Sequence, residues 1–207
     1  MTRLILIRHG ETSYNSERRY CGHSNPPLND VGMRQSNRLA VKLKGLQIDK
    51  VYASDLARAY QTAKTAFEND PIELAPDLRE MSFGLFEGLN YEQITERYPT
   101  LYRDWVDNPE KVAPPNGEGL RDLSKRVREK VSSILSQHEG KTVAVVTHGG
   151  PIRIVLCDAL RLDLAMFWRI EQELGALNVI DYARGATPRV IAMNDISPLS
   201  AEETLAI

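Results

Sequence analysis

Two histidines in matching sequence contexts are the first candidates for chemistry. His9 follows an apolar run at residues 4–7 and precedes a glycine, and His148 follows an apolar run at residues 143–146 and precedes two glycines. Short apolar runs of this kind are typical of strands buried on both faces. Ligands of open α/β sheets bind beyond the carboxyl ends of the strands, so we expect both imidazoles at one sheet edge. The alternative is two unrelated histidines that each end a strand.

Two arginines are expected near the same edge. Arg8 precedes His9, and Arg58 comes just after a third apolar run at residues 51–53. Helix N-termini at that edge would add free backbone N–H groups. Because the planar guanidinium donates bidentately to phosphate, these groups together predict a pocket for a tetrahedral anion. Taken alone, each arginine is better explained by a surface salt bridge.

Strands that alternate with helices must position these residues. Further strands are predicted at residues 72–74, 177–182 and 190–193, and apolar spacing predicts helices at about 29–46, 56–67 and 120–137. Asn29 or Asp30 can cap the first of these helices, and Pro151 suits the first turn of a helix after His148. The alternation predicts an α/β fold, a three-layer α/β/α sandwich with a mostly parallel central sheet and a small helical cap insertion. The polar tail after Ser197 is expected to be loose.

Residues 81–118 interrupt this alternation. The segment is expected to form two short helices, closed by Asn108-Pro109 and by a loop at residues 114–117. We interpret it as a small cap inserted beside the sheet of a single domain that spans residues 1–207. Its aromatic residues either pack the insert, or one or two of them face a substrate. These aromatic residues are Phe83, Phe86, Tyr91, Tyr98, Tyr102 and Trp105.

Composition excludes several function classes. The 207 residues carry a net charge of −2, so the chain lacks the basic balance of a nucleic-acid-binding protein, and the basic residues at 125–130 are interpreted as a solvated helix face. The two cysteines, Cys21 and Cys157, have no metal-type spacing and are expected to be reduced thiols. The apolar runs are too short for a signal peptide or a membrane span. We therefore expect a cytoplasmic protein with no nucleic-acid or membrane partner.

Four motifs in a fixed order carry a resemblance to a known family. They are Arg8-His9-Gly10-Glu11-Thr12 with Asn15 further on, SDLARAYQTA at residues 54–63, LREMSFG at 78–84 with FEG at 86–88, and THGG at 147–150. In this order they resemble the signatures of the histidine phosphatase superfamily, the phosphoglycerate mutase-like group. The resemblance covers residues 3–150, and the closing strands also fit.

The resemblance implies a role for each matching residue. His9 would be the nucleophile that becomes phosphohistidine, and Glu80 would protonate the leaving oxygen and then activate water. The family reaction implies no metal and no cofactor, and the sequence has no HExxH motif, paired aspartates or cysteine cluster. The remaining matches are the phosphoryl-clamping residues Arg8, Arg58 and His148, their helpers Asn15 and the Gly149 backbone, and Cys21 and Gly22 in a loop beside the substrate.

Physical chemistry supports these roles separately from the resemblance. A histidine nucleophile must be neutral at the attacking nitrogen, and Arg8 and Arg58 disfavour protonation of His9. Its other ring nitrogen should donate to a backbone carbonyl, which fixes the tautomer. Phosphoryl transfer passes through a loose transition state with charge on the equatorial oxygens, so positioned cations supply most of the catalysis.

The choice within the superfamily depends on shorter matches. Residues 81–88 resemble the phosphatase branch rather than the longer cofactor-dependent mutases, and residues 22–28 and 116–119 resemble α-ribazole phosphatases of cobalamin synthesis. Asn29 and Phe86 depart from the Thr and Trp that are frequent in these relatives. We therefore expect a metal-independent phosphomonoesterase whose partner is a small phosphorylated metabolite, α-ribazole 5′-phosphate. The alternatives are a broad-specificity phosphatase, a phosphoglycerate mutase and a non-catalytic phospho-ligand-binding protein.

Overall fold

The computed structural model describes residues 1–197, so the tail after Ser197 lies outside the described residues. The strands of this part are β1 (Thr2–Arg8), β2 (Lys50–Ala53), β3 (Ile72–Leu74), β4 (Thr142–Thr147), β5 (Leu177–Tyr182) and β6 (Arg189–Asp195). They form one sheet in the order β3-β2-β4-β1-β5-β6. The first four strands of this order are parallel, β5 is antiparallel to β1, and β6 is antiparallel to β5. The predicted α/β fold with a mostly parallel sheet is confirmed.

Helices cover both faces of the sheet. They are α1 (Ser13–Ser16), α2 (Asp30–Leu43), α3 (Ala57–Ala66), α4 (Tyr91–Arg97), α5 (Pro99–Asp107), α6 (Leu120–Gln137) and α7 (Gly149–Leu160), with 3-10 turns at Pro76–Leu78, Gly84–Phe86 and Leu164–Arg169. Along β1, Leu4 and Leu6 belong to the core shared with α6 and α7, whereas Ile5 and Ile7 belong to the core shared with α2 and α3. Each of these four side chains is at most 1% exposed, and full burial of one stabilises the fold by roughly 1.5–3 kcal/mol.

The helix boundaries differ from the prediction mainly at the end of α2. This helix stops at Leu43, three residues before the predicted end, because the backbone turns at Lys44 and Gly45 follows with a φ of +87°. Glycine adopts this left-handed conformation without the penalty of a Cβ atom. At the other end, Asn29 is the cap, and its side-chain oxygen accepts a hydrogen bond from the Gly32 N–H at 2.9 Å.

The segment at 81–118 contains the two expected short helices, α4 and α5. Trp105 of α5 is 1% exposed, and its ring centroid lies 5.7 Å from that of Phe86 and 5.9 Å from that of Tyr102. These three aromatic rings therefore pack the segment itself. Tyr91, by contrast, is 57% exposed.

The register of β1 and β4 places the two histidines. The strands pair in parallel with Ile7 opposite Val146 and Arg8 opposite Thr147. His9 and His148 are the next residues of their chains, so both leave the sheet at its carboxyl edge. No helix in residues 1–197 combines the length and apolar composition that a membrane crossing requires.

Candidate active site

The imidazoles of His9 and His148 lie against each other at the sheet edge. Their ring centroids are 5.0 Å apart with an interplanar angle of 62°, and both residues are buried. The prediction that the fold brings these histidines together is therefore confirmed.

The hydrogen bonds of His9 fix its protonation. Nδ1 lies 2.7 Å from the Gly10 carbonyl oxygen, which can only accept, so Nδ1 carries the proton and Nε2 keeps its lone pair. Arg58 Nε donates to this Nε2 at 3.1 Å. Burial, and then the cations of Arg58 and Arg8, hold the pKa of His9 well below its ordinary 6.5. His9 is consequently neutral at physiological pH, in the tautomer that leaves Nε2 unprotonated.

Arg58 is buried behind His9 and held by a loop. Its Nη1 donates to the Ser24 carbonyl at 2.8 Å, and its Nη2 donates to the carbonyls of Gly22 at 2.8 Å and Cys21 at 3.2 Å. Gly22 thus contributes its carbonyl to the arginine and does not line the cavity in front of His9. The structure therefore places this predicted substrate-binding residue one layer away from the cavity.

Glu87 anchors the loop that holds Arg58. Its carboxylate accepts hydrogen bonds from the backbone N–H groups of Gly22, His23, Ser24 and Phe83, at 2.8 to 3.2 Å. Burial alone would raise the pKa of Glu87, but the hydrogen bonds outweigh it and leave the pKa below its ordinary 4.5. The charged form of this carboxylate therefore stabilises the folded loop.

We expect Glu87→Gln to destabilise the protein by about 1–3 kcal/mol at neutral pH, because the amide cannot accept all four hydrogen bonds. A depressed folded-state pKa gives stability above the unfolded pKa of about 4.3 and loses it as the pH falls through the folded pKa. Urea unfolding from about pH 6 to about pH 3 should therefore show a shallower acid loss in the variant. Glu96→Gln, at an exposed position of α4, is the matched control. Equal acid loss in Glu87→Gln and wild type would contradict this role.

His148 and Arg8 each present a buried polar atom without a partner among residues 1–197, His148 Nδ1 and Arg8 Nε. His148 Nε2 lies 2.8 Å from Ser54 Oγ, and a hydroxyl proton donated there leaves Nδ1 as the protonated donor. Burial, followed by the Arg58 cation, holds the pKa of His148 well below 6.5. Burial lowers the pKa of Arg8 to about 10, so Arg8 remains a cation at neutral pH. Buried polar atoms normally have partners, so these two donors are available to an acceptor group that enters the site.

The other predicted phosphate-contacting residues differ in their placement. Asn15 lines the cavity, and its Oδ1 accepts from the Thr12 N–H at 3.0 Å, which closes the capping box of α1 and orients the amide. Cys21 also lines the cavity, and burial raises the pKa of its thiol to about 11.

Gly149 lies in the first turn of α7, where backbone N–H groups have no partner within the helix. A Cβ on Gly149 would lie 3.6 Å from Arg8 Nε, so this glycine packs against the guanidinium of a residue that lines the cavity.

Glu80 lines the same cavity. Its carboxylate accepts the Gly150 N–H at 3.1 Å on both oxygens and the Met81 N–H at 2.8 Å. The carboxylate therefore lies at the N-terminus of α7, where the helix dipole favours negative charge. A Cβ on Gly150 would collide with Glu80 Oε1, so glycine is required for this close approach.

Arg126 holds the backbone that carries Glu80. Its guanidinium donates to the carbonyls of Asp77, Arg79 and Glu80 at 2.7 to 2.9 Å and pairs with both oxygens of Glu118 at 2.6 and 2.7 Å. The interpretation of residues 125–130 as a solvated helix face is therefore wrong for Arg126. Sequence spacing could not reveal this role, because its partners lie in a different part of the chain.

We expect Arg126→Met to lower turnover of alkyl phosphates by about 10- to 100-fold, since a displacement of about 1 Å at a reacting group can cost that much. The release of p-nitrophenol from p-nitrophenyl phosphate should be slowed much less, because this leaving group needs no proton from Glu80. Stopped-flow measurement of both substrates checks this difference. Lys125→Met, on the exposed side of α6, is the control. Equal losses on both substrates would assign Arg126 a purely structural role.

One cavity of about 320 Å³ lies in front of His9. Five of the predicted site residues line it, whereas Arg58 and His148 contact the His9 ring without lining the cavity. Two larger surface cavities, of about 460 and 520 Å³, contain none of these groups. Within residues 1–197, no group of three or more His, Cys, Asp or Glu side chains is placed to hold a metal ion. The cavity is lined by Arg8, His9, Asn15, Arg18, Arg19, Tyr20, Cys21, Glu80, Phe83, Tyr91, Arg153 and Trp168.

Sequence reasoning missed several of these lining residues. Arg153 lies in α7, shortly after His148 in the sequence. Because this helix starts at the sheet edge, the sequence could have indicated that Arg153 lies near the site. Arg18 follows the first motif and has a positive φ of 55°, which the sequence does not predict for an arginine. Trp168 comes from the 3-10 turn at Leu164–Arg169, and no sequence signal links that turn to the cavity.

Comparison with known sequences gives a consistent result. Residues 4–196 match the profile of the histidine phosphatase superfamily (branch 1). The bifunctional protein Rv2228c of Mycobacterium tuberculosis is 40% identical over 190 residues, which cover 90% of this chain and 52% of that protein, so the chain spans about half of its length. Phosphoserine phosphatase 1 of Hydrogenobacter thermophilus is 35% identical over 182 residues, 87% of this chain and 86% of the relative. The adenosylcobalamin/alpha-ribazole phosphatase of Salmonella typhimurium is 31% identical over 192 residues, 91% and 95% of the two chains.

Solved structures show the same fold. YhfR of Bacillus stearothermophilus superposes with a TM-score of 0.89 at 32% identity, covering 95% of this chain and 98% of its own. The alpha-ribazole phosphatase of Shigella flexneri superposes with a TM-score of 0.86 at 27% identity, covering 93% and 96%. Both similarities extend over nearly the whole chain.

Proposed function

The chain belongs to the histidine phosphatase superfamily, and on that premise we propose that it hydrolyses small phosphomonoesters through a phosphohistidine formed at His9, without a metal. The observation that carries this proposal is the protonation of His9. Nδ1–H is fixed on the Gly10 carbonyl, while Nε2 is unprotonated beside the guanidinium of Arg58. A neutral nucleophile next to cations is what attack on a phosphate dianion requires.

In the proposed first step, His9 Nε2 attacks phosphorus and the bond from phosphorus to the ester oxygen breaks. In the substrate complex, the phosphate dianion disfavours a second negative charge beside it, so in this step Glu80 holds a proton. Glu80 gives this proton to the ester oxygen, and the alcohol leaves. Arg58 transfers its hydrogen bond from Nε2 to a phosphoryl oxygen as the new bond forms. In the second step, the Glu80 carboxylate removes a proton from water while the water oxygen attacks phosphorus. The bond to Nε2 breaks, which returns neutral His9 and inorganic phosphate.

The proposed phosphoryl clamp uses donors from β1, from α1 and from the start of α7. Arg8 Nε and His148 Nδ1 are two of the buried donors without partners among the described residues, and the His148 ring packs against that of His9. Asn15 and the first-turn N–H of Gly149 would complete the set. Because charge spreads over the equatorial oxygens in the transition state, these fixed donors would stabilise it more than the substrate.

The first candidate substrate is α-ribazole 5′-phosphate, which would place the chain in cobalamin synthesis. Support comes from the relatives in Salmonella and Shigella that carry this name. The cavity also has aromatic walls from Tyr20, Phe83, Tyr91 and Trp168. A flat benzimidazole base would gain stacking energy against such rings.

A second candidate class is the phosphorylated hydroxy or amino acids. The observation that favours it is the set of arginines in the cavity beyond the phosphoryl clamp, Arg18, Arg19 and Arg153. The relative in Hydrogenobacter that is named a phosphoserine phosphatase fits the same class. A carboxylate close to the ester distinguishes the two classes, because only the second class carries one.

The test is phosphate release in EDTA from α-ribazole 5′-phosphate, 3-phosphoglycerate and p-nitrophenyl phosphate, with His9→Ala as the control. A kcat/KM at least ~100-fold higher for one substrate corresponds to about 2.7 kcal/mol of selective transition-state binding and would identify it. Similar low rates on all three would favour a broad-specificity phosphatase. Wild-type release no faster than that of His9→Ala would contradict the proposal. Mutase assays would then separate a phosphoglycerate mutase from a non-catalytic phospho-ligand-binding protein.

A further inference from the structure

A second set of donors lies beside the phosphoryl clamp, centred on Arg153. The Arg153 Nε donates to the Ile170 carbonyl at 2.7 Å, and its guanidinium lies 5.5 Å from the Phe167 ring centroid and 5.6 Å from that of Trp168. Trp168 in turn packs against Trp105 of α5, with ring centroids 5.1 Å apart. Arg153 is thus fixed on an aromatic platform that connects α7 with the segment at 81–118.

No carboxylate of residues 1–197 forms an ion pair with Arg153, and its Nη groups make no hydrogen bond to the described residues. Glu80, Glu171 and the Arg8 cation act on it electrostatically, and Glu80 is already bonded to two backbone N–H groups. A largely buried cation is normally paired. The Nη groups of Arg153 are therefore available to an anion in the cavity.

Trp168 adds a donor beside this guanidinium. Its indole Nε1 is buried and has no partner among the described residues, although Trp168 lines the cavity. An indole N–H can only donate, so its partner must be an acceptor. A guanidinium and an indole N–H together match a group that is rich in acceptors and negatively charged.

Arg153 lies close to the groups that are proposed to act on the phosphate ester. A Cβ on Gly149 would have both Arg153 Nη1 and Arg8 Nε within 4 Å, so the two guanidiniums lie around the same point. Glu80, the proposed proton donor to the leaving oxygen, also acts electrostatically on Arg153. Arg153 therefore lies beside Arg8 of the phosphoryl clamp, in the cavity that Glu80, the proposed proton donor, also lines.

We propose that Arg153 and Trp168 Nε1 form a subsite for an anionic group on the leaving alcohol, a carboxylate on the carbon next to the phosphorylated CH2 group. The proposal rests on the proposed phosphatase function and narrows its substrate class to phosphorylated hydroxy and amino acids. Arg153 presents a planar fork to the planar carboxylate, and the indole N–H donates to one carboxylate oxygen. On this proposal, Arg153 determines specificity for the leaving alcohol and does not belong to the phosphoryl clamp.

The test uses two probes that differ only in the group concerned, 3-phosphoglycerate and glycerol 3-phosphate. We expect wild type to favour 3-phosphoglycerate by about 10- to 100-fold in kcat/KM. Arg153→Met should lower kcat/KM for 3-phosphoglycerate by a similar factor while that for glycerol 3-phosphate changes less than about threefold. Trp168→Phe keeps the aromatic platform but removes the indole N–H, so it should lose part of the preference for 3-phosphoglycerate. This variant tests the subsite even if Arg153→Met folds poorly. Arg169→Met, at an exposed position of the same 3-10 turn, is the matched control.

Binding to His9→Ala protein separates this proposal from the proposed function. Calorimetry of both probes on His9→Ala, alone and combined with Arg153→Met, measures the carboxylate preference without turnover. Absence of turnover in wild type with an intact binding preference would contradict the phosphatase proposal alone. Equal losses on both probes in Arg153→Met would make Arg153 part of the phosphoryl clamp and overturn the subsite. A stronger preference for α-ribazole 5′-phosphate that Arg153→Met leaves unchanged would overturn it as well.

Discussion

His9→Ala is expected to lower phosphate release by about 10⁴- to 10⁶-fold, because it removes the side chain that bonds to phosphorus in the proposed reaction. Arg8, Arg58 and His148 would still bind the phosphoryl group, so affinity for phosphate should persist while turnover is lost. The fold should also persist, since the substitution removes a buried polar ring rather than part of either apolar core.

The measurement is p-nitrophenol release, with circular dichroism and thermal unfolding to establish that the variant is folded. His138→Ala is the control, because His138 lies at the far end of α6 and contacts Tyr52 rather than the cavity. That control should keep near wild-type turnover. A folded His9→Ala protein that retains more than about a tenth of wild-type activity would rule out His9 as the nucleophile.

Glu80→Gln is expected to lower turnover of alkyl phosphates by about 10²- to 10⁴-fold, the usual contribution of a general acid or base. Glutamine keeps an oxygen that can accept the Gly150 and Met81 N–H groups, so the local structure should remain. It cannot give a proton to an alkoxide or take one from water. With p-nitrophenyl phosphate, whose leaving group needs no proton, only the second step should be slowed.

The expected signature of Glu80→Gln is therefore a burst of p-nitrophenol followed by slow turnover, as phosphoenzyme accumulates. Rapid mixing with p-nitrophenyl phosphate and with an alkyl phosphate would reveal it. Glu92→Gln, at an exposed position in the first turn of α4, is the matched control. Unchanged turnover of alkyl phosphates would remove Glu80 from the proposed mechanism.

The sequence could predict the part of the site that depends on local pattern. The apolar runs before His9 and His148 define buried strands, and strands alternating with helices are expected to share a parallel sheet. Pairing of β1 with β4 then brings both histidines to one edge, as the register of Arg8 and Thr147 confirms. Local pattern is less informative at chain turns, where α2 ends early at Leu43 before the positive φ of Gly45.

The sequence could not predict contacts between distant segments. In the sequence, Arg126 looks like its exposed neighbours on α6. Its role depends on the turn that precedes Glu80, which packs against it only in the folded protein. Gly22 matches a family loop that lies beside the substrate. In this structure, however, the Gly22 N–H donates to Glu87 and the Gly22 carbonyl accepts from Arg58. Trp168 reaches the cavity because its 3-10 turn packs against α5. Each of these placements depends on tertiary packing that leaves no periodic pattern in the sequence.

The measurement that tests the central claim most directly is identification of the phosphorylated residue. Glu80→Gln protein would be mixed with p-nitrophenyl phosphate, quenched in base within the burst and digested for peptide mass spectrometry. We predict one phosphoryl group on His9, stable in base and lost in acid, and none in the double variant with His9→Ala. A phosphoryl group on another residue, or a burst of p-nitrophenol with no phosphorylated peptide, would contradict the phosphohistidine mechanism.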